Sequence, residues 1–289
     1  MTRATEQQQG GIGGFVRACT ATARLEYRNL RYYPVNLLLT AAQELTAVGV
    51  WYFVARFLAA RAGEAVSDYG GNYLAYVVVG VLLNQIGLTA LNSPFTTVSE
   101  AFWDKRLETY RLAVHGIWAN LLGRLAWQVG FSTVLQGVAY AGLLAAGGIS
   151  VAGSLPWGVL AITFVLFLIA NAGLGIAGAS LFFLLEVKSG QDPITWAYRY
   201  LVQLASGLYI PVALLPGWLH AVGGLLPQTY GLTAVRALVL TGAGLESPLV
   251  QAGLTGLTVA AGLCGAGGGG LFALALRRAE GQGGMGVVV

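Results

Sequence analysis

Six long apolar runs divide the chain: Val35 to Leu58, Tyr73 to Leu91, Ile117 to Ala145, Trp157 to Leu185, Ile194 to Leu214, and Leu249 to Leu276. Each holds about the 20 apolar residues that a helix needs to cross a hydrocarbon core. A further apolar stretch, Trp218 to Leu240, is broken by Leu215-Pro216-Gly217 and Leu226-Pro227-Gln228. Its pieces are too short to cross. The pattern predicts a re-entrant pair of short helices over 216–240, with a seventh span as the alternative. The chain is thus expected to be one all-α integral membrane domain over 1–289.

Two stretches show a polar face. Arg17, Arg24, Arg28 and Arg31 are spaced 7, 4 and 3 apart, which places them on one side of a helix. Phe15, Cys19, Leu30 and Tyr33 lie opposite. An amphipathic helix on the membrane surface is predicted over 14–33, against the plainer reading of a basic stop before the first span. Glu26 falls within its apolar face and is expected to pair with a basic residue of a neighbouring loop. The second stretch, over 97–112, predicts a short amphipathic helix. Phe102, Trp103, Leu107 and Tyr110 form its apolar side; Glu100, Asp104, Lys105 and Glu108 form its polar one. Such a mixed surface suits docking onto a soluble partner. A solvated loop helix is the plainer reading.

Composition strengthens the membrane assignment. Of 289 residues, 56% are hydrophobic and 10% charged, against about 25% charged in soluble domains. The 42 glycines fit close packing between membrane helices. The formal net charge of +4 comes from basic residues at the ends of apolar runs, so it reads as a topology signal rather than a nucleic-acid surface. With the amino terminus cytoplasmic, six spans leave 13 of the 16 basic residues on the inner side, and only Arg56, Arg61 and Arg236 outside. Both termini are then cytoplasmic.

Candidate chemistry is sparse. Gly173-Leu174-Gly175-Ile176-Ala177-Gly178 matches a dinucleotide fingerprint but follows no strand, so helix packing is the expected role. The two lysines, Lys105 and Lys188, stand outside any Gly-Lys-Ser/Thr loop, so no phosphate loop for ATP is present. Neither His115 nor His220 has a partner at metal-ligand spacing, and no metal is expected. Glu44 and Arg124 fall within predicted spans. They are expected to pair with each other, or Glu44 faces a central cavity or a solvated groove.

Three stretches resemble one family. Tyr69-Gly70-Gly71-Asn72-Tyr73-Leu74-Ala75-Tyr76 leads into the second span through Gly80. Lys105-Arg106-Leu107-Glu108, followed by Leu112, stands where the family reads Gly-Thr-Leu-Glu. Ser206-Gly207-Leu208-Tyr209-Ile210-Pro211 runs on to Leu215-Pro216-Gly217-Trp218-Leu219, then to Leu226-Pro227-Gln228-Thr229-Tyr230 and Arg236. In order and spacing these are similar to the permease subunit of type-2 ATP-binding-cassette exporters, along nearly the whole chain.

The resemblance implies a coupling helix over 97–112 that seats on an ATPase subunit through Glu100, Phe102, Trp103, Asp104, Lys105, Arg106, Leu107 and Glu108. It implies an outer gate that includes Tyr209, Pro211, Pro216, Trp218, Pro227 and Tyr230. It implies two ATPase copies carrying ATP and Mg, a second permease chain, and membrane lipids as partners. Those expectations describe a prokaryotic plasma-membrane exporter of a drug-like or lipid-like compound that is not itself an enzyme. A lipid-linked glycan is the alternative substrate. The rival functions are a self-sufficient secondary transporter and a membrane-embedded enzyme. Few mid-membrane charges, no convincing internal repeat, and little His, Asp or Glu in the spans weigh against them.

Overall fold

A computed structural model describes residues 11–62, 64–113, 115–145, 152–184 and 193–281, without the side chains of residues 36, 44, 47, 59–62, 108, 111, 112, 144, 280 and 281. Every described element is helical, as the apolar runs require. Helices α1 (Ile12–Tyr32), α2 (Pro34–Ala62), α3 (Tyr73–Trp103), α4 (Leu107–Leu112) and α5 (Gly116–Ala145) are followed by α6 (Trp157–Leu184) and α7 (Pro193–Ala205). The last three are α8 (Gly217–Gly223), α9 (Pro227–Arg236) and α10 (Pro248–Gly281). Four of them are long and apolar enough to cross a bilayer: α2 over Leu37–Leu58, α3, α6, and α10 over Pro248–Ala279. The chain is a membrane protein on that ground. Helix α5 has the length, but Arg124, Gln128 and Gln136 dilute its hydropathy.

Two predicted boundaries move. The second apolar run was expected to end at Leu91, yet α3 continues through Pro94 to Trp103. Proline removes one helical hydrogen bond and tends to end or kink a helix. Here the extension remains helical because Phe95, Val98 and Ala101 bury against Ile117, Leu121, Phe182 and Phe272. The predicted single helix over 97–112 is therefore the last two turns of α3, a turn at Asp104–Arg106, and the short α4. Lys105 makes that turn in the left-handed region at φ 57°.

The fifth run, expected to cross from Ile194 to Leu214, is helical only to Ala205. Thirteen residues rise about 20 Å, well short of a bilayer core. The chain breaks at Gly207, whose φ of 79° suits glycine, and Pro211 prevents the helix from resuming directly. A 3₁₀ turn at Val212–Leu214 then leads into α8.

Contacts fix the directions. Leu91 of α3 meets Gly175 of α6, and Phe95 meets Phe182 at 6.2 Å, so these two helices run parallel. Helices α6 and α10 run parallel: Gly173 abuts Cys264 and Phe183 meets Phe272 at 6.0 Å. Thr89 of α3 bonds Ser132 of α5 at 3.3 Å, while Ala101 and Ile117 share a core, so α5 runs antiparallel to α3. The last turns of α3, α6 and α10 and the first turns of α5 therefore gather at one end of the bundle, the Trp103 end. Arg236 lies near the other.

The glycine motif in α6 packs rather than binds. A Cβ on Gly173 would sit 2.5 Å from the Cys264 carbonyl, and one on Gly268 would overlap the Gly173 carbonyl. Gly267, one position along, has nothing within 4 Å. Gly268→Ala is accordingly expected to cost about 1–3 kcal/mol by overpacking. Gly267→Ala is expected to be neutral or stabilising by up to about 1 kcal/mol through helix propensity. Thermal unfolding of the two purified variants, compared with the parent, checks the contrast.

Candidate functional site

The Arg236 end is organised by a buried cation. Arg236 closes α9 and is 2% exposed. Its Nε donates to the Tyr76 carbonyl at 3.0 Å, Nη1 to the Gly207 carbonyl at 2.8 Å, and Nη2 to the Leu208 carbonyl at 2.7 Å. The guanidinium carbon sits 3.5 Å from the centre of the Tyr76 ring, a cation–π distance. Among the described residues no carboxylate pairs with it. The Tyr76 hydroxyl donates to the same Gly207 carbonyl at 2.7 Å. Gly80 makes room, since a Cβ there would overlap the guanidinium. A charge in apolar surroundings is tolerated only with dense polar contacts, and three carbonyls and a ring supply them.

This clamp positions the segment the sequence singled out as a gate. Tyr209 stacks on Trp51 at 3.7 Å, and its carbonyl accepts from the Tyr73 hydroxyl at 3.2 Å. Pro211 precedes the 3₁₀ turn, Pro216 precedes α8, and Pro227 opens α9 at a position where its missing N–H costs nothing. Trp218 is 66% exposed. The Tyr230 hydroxyl bonds the Gly224 carbonyl at 2.6 Å, and its ring lies against Gly256.

Helix α9 runs beside α3. Gln228 at its start donates to Asn84 at 3.1 Å, and Arg236 at its end reaches Tyr76. Leu226, between α8 and α9, shares a cluster with Leu91. The α8–α9 turn therefore lies some 15 residues along α3 from Tyr76. Sequence reasoning left Arg236 out of its gate residues. The available signal was a lone arginine nine residues after a helix-opening proline, in an otherwise apolar stretch.

The Trp103 end is organised by a second arginine. Arg124 of α5 forms an ion pair with Glu26 of α1 at 3.1 Å, and a second, close one with Glu100 in the last turn of α3. Glu26 thus finds its basic partner on a long helix, not on a loop. Arg124 was expected to pair with Glu44, whose side chain lies outside the described residues. The partners shown are these two. Around them a polar cavity of about 130 Å³ is lined by Glu26, Glu100, Asp104, Arg106, Tyr110 and Arg124, among others.

The predicted docking residues divide between inside and outside. Leu107 is 4% exposed and belongs to the core. Phe102 packs on Phe182 at 5.2 Å. The expected apolar docking face is thus largely turned inward, because α3 and α4 use it to hold each other and α5. Trp103 remains 61% exposed, beside the exposed Asp104–Arg106 pair and Lys105. The Glu108 side chain lies outside the described residues.

Arg17, Arg24, Arg28 and Arg31 are all exposed on α1. That helix runs alongside α5 rather than across it. Phe15 meets His115 at 5.6 Å and Tyr27 meets Trp127 at 5.8 Å. Between them, a Cβ on Gly123 would sit 2.6 Å from the Cys19 carbonyl.

A third feature is an apolar groove of about 450 Å³ between α3, α5, α6 and α9. Leu82, Ile86, Phe164 and Val239 line it, with Gln136 and Tyr140 adding polar atoms. No cluster of metal-ligating side chains occurs among the described residues. Comparison with known protein families, characterised proteins and solved structures finds no match.

Two outcomes follow from the arginines. Arg236→Gln is expected to lower stability by about 2–4 kcal/mol, because Gln reaches fewer of the carbonyls and leaves buried acceptors unpaired. Arg236→Lys is expected to fall between the two. Arg124→Gln leaves Glu26 and Glu100 facing each other without a cation. Its expected effect is a loosening of α1, read as faster amide hydrogen exchange over 12–32 with α6 and α10 unchanged.

Proposed function

We propose that this chain is the membrane subunit of an ATP-driven exporter of type-2 ATP-binding-cassette architecture. The observation that carries the reading is the Trp103 end. There an exposed turn, Trp103–Arg106, is continuous with α3 and tied through Glu100, Arg124 and Glu26 to α5 and α1. A push on that turn reaches two long helices and α1 through one cation. A separate ATPase subunit would supply that push, with ATP and Mg bound on the partner. Two ATPase copies and two permease chains make the working unit.

The topology proposed is six crossings, by α2, α3, α5, α6, α7 with the stretch that follows it, and α10. Alternating helix directions support it. Both termini are cytoplasmic in a prokaryotic plasma membrane, supported by the basic residues gathered toward the Trp103 end. Helices α8 and α9 form a re-entrant hairpin at the outer end. Support comes from the path of α9 along α3 and from the position of Leu226 beside Leu91. Arg236 holds this hairpin to α3 and to the broken end of α7.

The substrate class is amphipathic or hydrophobic. The groove of about 450 Å³ is apolar with a few polar groups, and its size lies in the range of small-molecule sites. A compound entering from the lipid would meet it before any charged surface.

The test is co-purification of the full chain with a candidate ATPase subunit, followed by ATPase and transport assays in lipid. Trp103→Ala with Lys105→Glu is expected to lower the retained ATPase several-fold while leaving the melting temperature of the chain unchanged. Transport by the chain alone, without ATP, would overturn the reading. So would a double variant that keeps full coupling.

A further inference from the structure

The four arginines of α1 are spread over a sector of about 60° at 100° per residue. Phe15, Cys19, Thr22 and Glu26, on the opposite side, are the residues turned to α5. The arginine ridge therefore points away from the protein. None of the four pairs with a carboxylate among the described residues; the ion pairs there are Arg106–Asp104, Arg124–Glu26 and Arg124–Glu100. Exposed apolar groups flank the ridge on both sides, Val16 and Tyr27 on one and Leu25 and Tyr32 on the other.

Depth along the bundle adds a constraint. Helix α3 rises about 46 Å over 31 residues and α5 about 45 Å over 30. The hydrocarbon core takes about 30 Å of this. From Pro34 to Ala55, which shares a cluster with Val66 and Tyr73 at the Arg236 end, α2 rises about 31 Å. The start of α2 thus lies one core thickness from that end, with the excess of α3 and α5 beyond it. Arg28 and Arg31 stand just before Pro34 and so fall at the boundary between hydrocarbon and headgroups. A guanidinium is costly within the hydrocarbon itself.

We infer that the α1 ridge is a binding surface for anionic phospholipid, with Arg28 and Arg31 holding headgroup phosphates and Arg17 and Arg24 extending the attraction outward. A membrane interface supplies both things the ridge lacks, negative charge and a partner for its carbon flanks. A purely acidic protein surface supplies only the first. Arginine suits phosphate through its planar set of donors, and each cation near an anionic leaflet adds to retention. This inference requires only that the chain sits in a membrane; it does not rest on the transport reading.

The test uses the full chain purified in detergent. Retained lipids are counted by native mass spectrometry during titration with phosphatidylglycerol or phosphatidylcholine. The parent is expected to bind phosphatidylglycerol roughly tenfold more tightly, with the difference shrinking as salt is raised. Arg28→Gln with Arg31→Gln is expected to remove that preference, and Arg28→Lys with Arg31→Lys to retain most of it. These are exposed positions, and an unchanged melting temperature confirms that the fold is intact.

Equal binding of the two lipids by the parent overturns the proposal. So does a Gln double variant that keeps the preference. If glycerol 3-phosphate competes as well as the lipid, the ridge is a free-phosphate site instead. If the Gln pair keeps its lipid preference but loses a co-purifying ATPase, the ridge belongs to a protein partner.

Discussion

Backbone carbonyls that leave a helix within an apolar bundle must find donors, because no water is at hand to supply them. After Ala205 the chain stops being helical while still enclosed by α3 and α9, and the carbonyls of Gly207 and Leu208 are left over. Arg236 collects both, together with that of Tyr76. A neutral side chain has too few donors for this, and lysine presents a point charge where a planar fork is needed. The charge is tolerated because it lies over an aromatic face and each of its three nitrogens donates to a carbonyl. Much of the Arg236 end depends on this arrangement. It fixes where α7 ends and where α9 lies along α3, and it requires glycine at 80 to admit the guanidinium.

The two ends of the bundle use arginine in opposite ways. At one, a guanidinium binds neutral carbonyls and is sealed from solvent. At the other, Arg124 is shared between two carboxylates beside a polar cavity. The first is suited to holding one shape. The second joins three elements through ion pairs that solvent can reach and weaken, which is suited to a junction that changes shape. The export role proposed above would draw on both properties, a fixed closure on one side and a responsive contact on the other.

Much of the architecture was legible in the apolar runs. The starts of α2, α3, α6 and α10 follow directly from them, and the two prolines at 216 and 227 mark the short helices. The glycines of α6 were read as packing residues, and they do pack. What the local pattern did not carry was set by distant partners. The extension of α3 past Pro94 depends on Phe182 and Phe272. The inward turn of Phe102 and Leu107 depends on the same core, so a face that looked available for docking is consumed by folding. The role of Arg236 depends on Tyr76 and Gly207, 160 and 29 positions away. Periodicity reports which side of a helix is apolar, but not which neighbour takes it.

Helix α2 is attached unevenly. Near its end, Val48 and Ala55 are buried and Trp51 stacks on Tyr209. Its first half projects Leu38 and Leu39 outward. Mechanically it is a beam clamped at one end. Such a beam is displaced furthest at its other end, and here that end is joined to α1, which packs along α5. A small tilt of α1 would swing the start of α2 through the lipid while the stack at Trp51 stays in place. The Arg236 end would then act as a pivot, and the displacement of the start of α2 would be set by leverage rather than by rupture of the stack at Trp51.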